Sequence, residues 1–579
     1  MFRFPREILI SFFLFLFSLL IFTRSLEMHG LEYRDDEIFY YKSTQEMLRS
    51  GNFFSPTYFE ENRFQKPILF YWLILLSYKI FGVNWFAARF VAAFFGSLSV
   101  CVTWLMAREL FRCRRIAHLS ALILTTTPLF FRHAKNAVPD MPLNFFIVGA
   151  MYCAILFAKN PQKKRYSILF FVSCALGFMT KGPAAVIVPF LSLFVYALLH
   201  RKGDVLRAMR FGRGLLIMAV FICPWFLYMM ATHGRAYTEY MLIEETRNRL
   251  LGQGSGQVLG GQVGTLISHT GFYVRTVLSY FAPWSLLFFC AILLARCGPW
   301  RQRLDGLQRW LPIWLGVVFL FFSSMHFVIN HYMLILTTPF AILLSFFLVG
   351  EGKEDAVSGK IWRLSEKFLI ALIITAGTLA FSFLFVFLIG ASRWWIVPFG
   401  VLYAGMVFLV LKSPRAMAAP LTLGIFLLGI FVQSSLLGKG GITAHAALQR
   451  FAAVIQEKAD PGFVVGVGSH DIHEKEFQVY FEKKVEKVAT SRDEETQSRL
   501  VGFFTTSTKV YCLITERDFK RYLNEEEIRP FDIVQEGYIV RKRMHIDKGF
   551  FIALFKGDQK TVRDYFMEKL ILVRKDRHA

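Results

Sequence analysis

Three acidic residues, Asp35, Asp36 and Glu37, stand just past the first long apolar run of this chain, and a fourth, Asp140 in "RHAKNAVPDMPLNFF", opens a later one. A carboxylate at the edge of an apolar segment can accept a proton from a hydroxyl, orient a nucleophile or bind a divalent cation. Asp140 taken alone also suits a helix N-cap, where Asp is favoured and its charge complements the helix dipole. The DDE triplet taken alone also reads as a solvated loop start. Cations accompany these acids: Lys66 in "RFQKPILFYW", Lys181 in "MTKGPAAVIVP", Arg249 in "EETRNRLLGQG", and Lys135. Ionisable groups beside apolar segments are functional candidates by default, although a single Lys can simply snorkel to headgroups. Arg as a fork and Lys as a point charge suit an anion at a membrane surface, such as a lipid phosphate. His133, His269, His326 and His331 lie near span ends without HxxxH or HExxH spacing, which favours structural or lipid-facing roles over a metal ligand set.

The elements that must position these residues are membrane spans. The chain is 55% hydrophobic over 579 residues, with 64 Phe, and its mean hydropathy is +0.44, well above a soluble globular domain. About thirteen apolar segments of spanning length are expected, at 8–26, 86–107, 116–132, 139–158, 166–180, 183–199, 214–232, 272–295, 310–324, 331–350, 368–390, 394–411 and 418–437. Residues 1–440 therefore read as a transmembrane domain and 441–579 as a small soluble α/β domain. That tail opens with a helix near 444–459 and holds strand-like runs "FVVGVG", "KVYCLIT" and "FFIALF". Of eight cysteines only Cys512 falls in the tail, so no disulfide framework or CxxC metal spacing is available there.

The net charge of +24 sits in alternate short loops at 111–115, 159–165, 200–213, 296–309 and 412–415. That is the positive-inside pattern and not a nucleic-acid stripe. It places the N-terminus in the cytoplasm and puts the 27–85 loop, the 234–270 loop and the tail together on the far side. Ile68 to Phe81 is apolar but too short to span, so the charge rule lays it in the interface. "EIFYYKSTQEMLRSG" before it has helical spacing with Gly51 as the stop. Polar groups gathered at one surface, with no internal repeat, argue against a transporter or lipid flippase.

The run from Asp35 to Arg89 resembles the first outer loop of polyprenyl-phosphate-sugar glycosyltransferases of the C superfold, in the bacterial lipid A aminoarabinose transferase group related to protein O-mannosyltransferases. The likeness is carried by Asp36, Glu37 and Tyr40, then Glu46, Met47, Leu48 and Gly51, then Lys66, Pro67, Tyr71, Trp72 and Gly82. Asp140, "KGP" from Lys181, "NRL" around Arg249, and His331 with Tyr332 extend it along the membrane half. Phe39, Gln65 and Val328 replace an Arg, a Glu and a Lys of the family pattern. The resemblance implies an enzyme of the bacterial inner membrane that moves a sugar from undecaprenyl phosphate to lipid A or another envelope glycolipid on the periplasmic face. A protein or polysaccharide hydroxyl is the alternative acceptor. It also implies Asp36, Asp140 and Glu37 as catalytic carboxylates, Lys66, Arg249 and Lys181 on the lipid phosphate, and Tyr40, Gln65, Tyr71, His331 and Tyr332 around sugar and acceptor. The cofactor is left open, a divalent cation being one option without a strong metal motif.

Overall fold

A computed structural model describes residues 6–24, 26–27, 35–241, 262–289, 304–325 and 328–349, and with short interruptions 444–576. Arg249, His326, and the expected spans at 368–390, 394–411 and 418–437 lie outside the described residues. The chain divides into two units. Of the described residues, the first holds 6–24, 26 and 43–349, and the second holds 27, 35–42 and those from 444 onward.

The first unit is helical. α1 (Arg6–Thr23) is followed by α2 (Asp35–Ser50), whose last eight residues belong here, and α2 stops at Gly51 with φ 71°. Glu46 on α2 accepts hydrogen bonds from the Thr57 hydroxyl (2.7 Å) and the Phe59 N–H (2.8 Å), which holds the small hairpin β1 (Thr57–Tyr58) and β2 (Glu61–Asn62). α3 (Leu69–Phe81) is 13 residues long and ends at Gly82, and Asn84 then caps α4 (Trp85–Phe111) by accepting from the Ala87 N–H at 2.8 Å.

α5 (Arg114–Thr126) and α6 (Pro128–His133) occupy the segment expected as one span at 116–132. Pro128 lacks an N–H and restricts the residue before it, so Thr127 adopts φ −67°, ψ 120° and the helix breaks. α7 (Asp140–Lys159) and α8 (Lys164–Lys181) then form an antiparallel pair joined by four residues, and α9 (Ala184–Leu199) packs beside them. At Gly177 an added Cβ would stand 2.7 Å from the Ala185 Cβ and 3.1 Å from the Phe146 Cβ, so glycine here sets how closely α7, α8 and α9 approach.

After α10 (Gly203–Ala208), α11 (Phe211–Glu239) bends at Gly234, and α12 (Gln262–Tyr280) follows. The expected 234–270 loop is thus helical at both ends, because Ala236, Tyr237 and the run from Gln262 continue the helical pattern. α13 (Trp310–Ser323), a 3-10 turn (Asn330–Leu336) and α14 (Thr337–Val349) complete the unit. Among the described residues, five stretches are long and apolar enough to cross a bilayer: Trp85–Phe111, Asp140–Lys159, Phe211–Glu239, Gly306–Ser323 and Asn330–Val349.

In the second unit, α15 (Ala444–Lys458) is followed by β3 (Val464–Val467), β4 (Glu486–Lys487), α16 (Glu494–Thr506), β5 (Lys509–Thr515), α17 (Glu516–Tyr522), β6 (Asp532–Val540), α18 (Gln559–Phe566) and β7 (Met567–Asp576). The strands form one sheet in the order β4-β3-β5-β7-β6, parallel from β4 to β5 and antiparallel beyond. Alternation along β5 sends Tyr511 and Leu513 to the face covered by Phe451 and Ile455 of α15. Val510, Cys512 and Ile514 face Leu500 and Phe503 of α16. Burial pushes the Cys512 thiol up to about 12, so it packs as a hydrophobe. In "FFIALF", expected to be strand-like, the described residues Phe550 and Ala553 are helical and pack with Val562, an i,i+3 spacing that one helical face satisfies. The first half of α2 lies in this unit, where the buried Lys42 ammonium donates to the Phe481 carbonyl at 3.2 Å.

Candidate functional site

The geometry around Asp140 follows from the α7–α8 pair. Helices of 20 and 18 residues joined by a short turn bring the first residue of one beside the last residue of the other. Asp140 opens α7 and Lys181 closes α8, and the Lys181 Nζ donates to Asp140 Oδ1 at 2.6 Å. Pro139 provides the N-cap without a side-chain bond, and Pro142 sits in the first turn, where its missing N–H costs nothing. The N-cap role considered for Asp140 is therefore not the one adopted, because its carboxylate turns toward lysine.

A histidine completes the cluster. His331 Nε2 lies 3.6 Å from Asp140 Oδ1 and 3.3 Å from Lys181 Nζ. Its 3-10 turn is tied down at both flanks: Asn330 accepts from the Thr276 hydroxyl at 2.9 Å and donates to the Tyr280 hydroxyl, while Tyr332 stacks on Phe322 with ring centroids 4.5 Å apart. The His133 ring stands 6.0 Å from that of His331 and bonds through Nδ1 to the Leu129 carbonyl at 2.8 Å. A structural or lipid-facing role does not describe His331, which faces the carboxylate. His133 was not singled out as a site residue in the sequence. Its signal is its position seven residues before Asp140 across the break after α6, which folds the two together.

The side chains of Asp140, His331 and Lys181 are 8%, 12% and 17% exposed, so the acid is paired in a largely dry setting. One turn along α7, Asn144 is fully buried, and neither amide atom has a hydrogen-bond partner among the described residues. Of the other sequence candidates, Tyr71 is buried and its hydroxyl accepts from Arg63 Nε at 3.0 Å. Lys66 is half-buried and Gln65 exposed in the loop before α3. Asp36 is exposed on the first turn of α2, whereas Glu37 and Tyr40 are buried there. Lys135 donates to the Arg24 carbonyl at 2.7 Å. Burial, with Arg89 and Arg24 nearby, pulls its ammonium down to about 8.

Among the described residues no group of three or more His, Cys, Asp and Glu is placed to hold a metal ion. The donor set at Asp140 does not fit one either, since an ammonium already occupies the carboxylate.

The described residues thus give a helical unit with a buried acid–lysine–histidine cluster at one end of α7. Residues 8–234 match the dolichyl-phosphate-mannose-protein mannosyltransferase family. The chain is similar, at TM-score 0.66 and 18% identity over 97% of both chains, to the crystal structure of ArnT from Cupriavidus metallidurans bound to undecaprenyl phosphate. The fold is ArnT-like. An uncharacterized protein of Aquifex aeolicus is 31% identical over 353 residues, 61% of this chain and 65% of that one. The undecaprenyl phosphate-alpha-4-amino-4-deoxy-L-arabinose arabinosyl transferase 1 of Pseudomonas fluorescens is 29% identical over 366 residues, 61% of this chain and 60% of the relative. The match thus spans less than two thirds of either relative's length.

Proposed function

We propose that this chain is an inner-membrane glycosyltransferase that moves a sugar from an undecaprenyl-phosphate-linked donor to lipid A or another envelope glycolipid. The observation that carries this reading is the buried Asp140 carboxylate, held by Lys181 and faced by His331 at one end of the helical unit. The ArnT-like fold and the relatives named undecaprenyl phosphate-aminoarabinose transferases support the donor.

In this reading the acceptor oxygen attacks the anomeric carbon, the bond from that carbon to the carrier phosphate breaks, and the electron pair leaves with the polyprenyl phosphate. In-line attack inverts the anomeric configuration. Negative charge collecting on the departing phosphate is stabilised by Lys66, Arg249 and Lys181, an electrostatic contribution that strengthens toward the transition state. Asp36 and Asp140, with Glu37, serve as the carboxylates of the centre. A phosphate acceptor is already anionic near neutral pH and needs no base, so they position the groups around it. A hydroxyl acceptor needs one of them as base. Tyr40, Gln65, Tyr71, His331 and Tyr332 surround the sugar and acceptor.

The same reading sets about thirteen spans, a cytoplasmic N-terminus and a periplasmic domain over 441–579. A protein Ser or Thr acceptor is the second reading, favoured by the family match over residues 8–234. Mass spectrometry of lipid A and surface glycans from cells expressing wild type, Asp36→Asn or Asp140→Asn, at equal membrane levels, tests both. Loss of a sugar from lipid A in both variants is expected, and unaltered profiles in both would end the assignment.

A further inference from the structure

At the opposite end of α8 from Lys181, the structure holds a small, half-open recess of about 20 Å³ that the Asp140 cluster does not use. Seventeen residue steps along α8 separate the two places, roughly 25 Å at helical rise. The recess lies among the basic loops, between the start of α8, the end of α10 and the start of α11. Lys164, Arg210 and Arg213 line its rim, and Ile168, Phe171 and Ile217 supply its apolar floor.

The local backbone is built to present these cations. The Ser167 hydroxyl donates to the Met209 carbonyl at 2.8 Å, pinning the turn before α11 against α8. Arg210 then takes φ 54°, ψ 60°, a conformation rare for a non-glycine residue, and its carbonyl accepts the Gly214 N–H at 3.1 Å. Among the described residues, none of the three cations has an acidic partner. Positive charge in cytoplasmic loops is ordinary. Three such charges around one recess with a buried aromatic floor form a binding site for an anion.

What lies next to the recess identifies the anion. Leu169 of α8 is exposed, as are Leu215, Leu216 and Val220 of α11, and α11 is long and apolar enough to span. A free phosphate or a nucleotide would use only the charged rim, whereas a phospholipid uses both parts. We propose that this recess binds the anionic headgroup of a phospholipid in the leaflet facing the basic loops. Lys164, Arg210 and Arg213 meet the phosphate, and the acyl chains run along the exposed leucines.

The test uses the full chain, delipidated in detergent and titrated with phosphatidylglycerol or phosphatidylcholine under native mass spectrometry. Wild type is expected to prefer phosphatidylglycerol. The variant K164A/R210G/R213A, in which glycine keeps the left-handed turn unstrained, should bind it between about tenfold and a hundredfold more weakly. A control, R201A/K202A/R207A, removes the same charge from the adjoining loop and should keep the preference. Ile217→Trp fills the recess while leaving every charge in place, and it should lose the lipid without a fall in Tm. Equal losses in the control and the recess variant, or no preference in wild type, would overturn the proposal. Displacement of the lipid by millimolar inorganic phosphate would overturn the lipid assignment in favour of a free anion.

Discussion

A buried carboxylate with one ammonium on it is a costly arrangement if either partner is removed alone. Taking away the cation leaves an uncompensated charge, at roughly 3–5 kcal/mol. Lys181→Met should therefore lower thermal stability sharply, Asp140→Asn less so, and the double variant should recover most of the loss while neither restores transfer. Melting curves of the three proteins beside a transfer assay check this, and an additive double variant would show that the 2.6 Å contact carries no coupling. Lys135 supplies a second outcome, in pH. Its folded pKa of about 8 lies below the ordinary 10.5. Between those values the unfolded chain holds more protons than the folded one, so the free energy of unfolding rises as pH rises from about 8 to 10.5. Lys135→Met should raise Tm at pH 7 and flatten its rise toward pH 10. Asp140 and Lys181 were both readable in the sequence as groups that a purely apolar edge does not require. Their pairing was not, because it depends on the similar lengths of two helices and not on any local motif.

Helix lengths and close approaches decide where those residues end up. α8 carries Lys181 to Asp140 only while it lies tightly between α7 and α9, and Gly177 sets that spacing with a notional Cβ 2.7 Å from Ala185. Gly177→Leu should cost about 1–3 kcal/mol through overpacking. It should also reduce transfer beyond what the lost stability explains, because it moves the end of α8. Tm and turnover measured on the same preparation separate the two effects. A glycine without a wide-angle turn gives no sequence signal of this kind. Other features were legible: α2 ends at Gly51 as expected, and α15 covers Ala444–Lys458 where a helical opening is expected. The misread elements have local causes. Pro128 breaks a segment whose hydropathy alone is continuous, and the described residues of "FFIALF", Phe550 and Ala553, are spaced i,i+3 and share one helical face.

For the whole molecule, the charge pattern makes the strongest statement about orientation. Five basic loops alternate with loops poor in Lys and Arg, and this asymmetry persists whichever single segment is reassigned. About thirteen spans is an odd count, so the two termini are expected on opposite sides, with the C-terminal sheet and the Asp36 loop sharing the far one. The segment that decides parity is Leu69–Phe81, which forms a 13-residue helix, about 20 Å long and short of a 30 Å hydrocarbon core. Were it to span, every later loop would invert and the basic ones would face outward against the charge rule. Fusing alkaline phosphatase after residue 579, and a fluorescent protein before residue 1, reads the two ends independently. Active phosphatase with a fluorescent N-terminus is the expected result. Inactive phosphatase beside a fluorescent N-terminus would put both ends on one side and require an even count. The C-terminal sheet would then lie in the cytoplasm, away from the face proposed for sugar transfer.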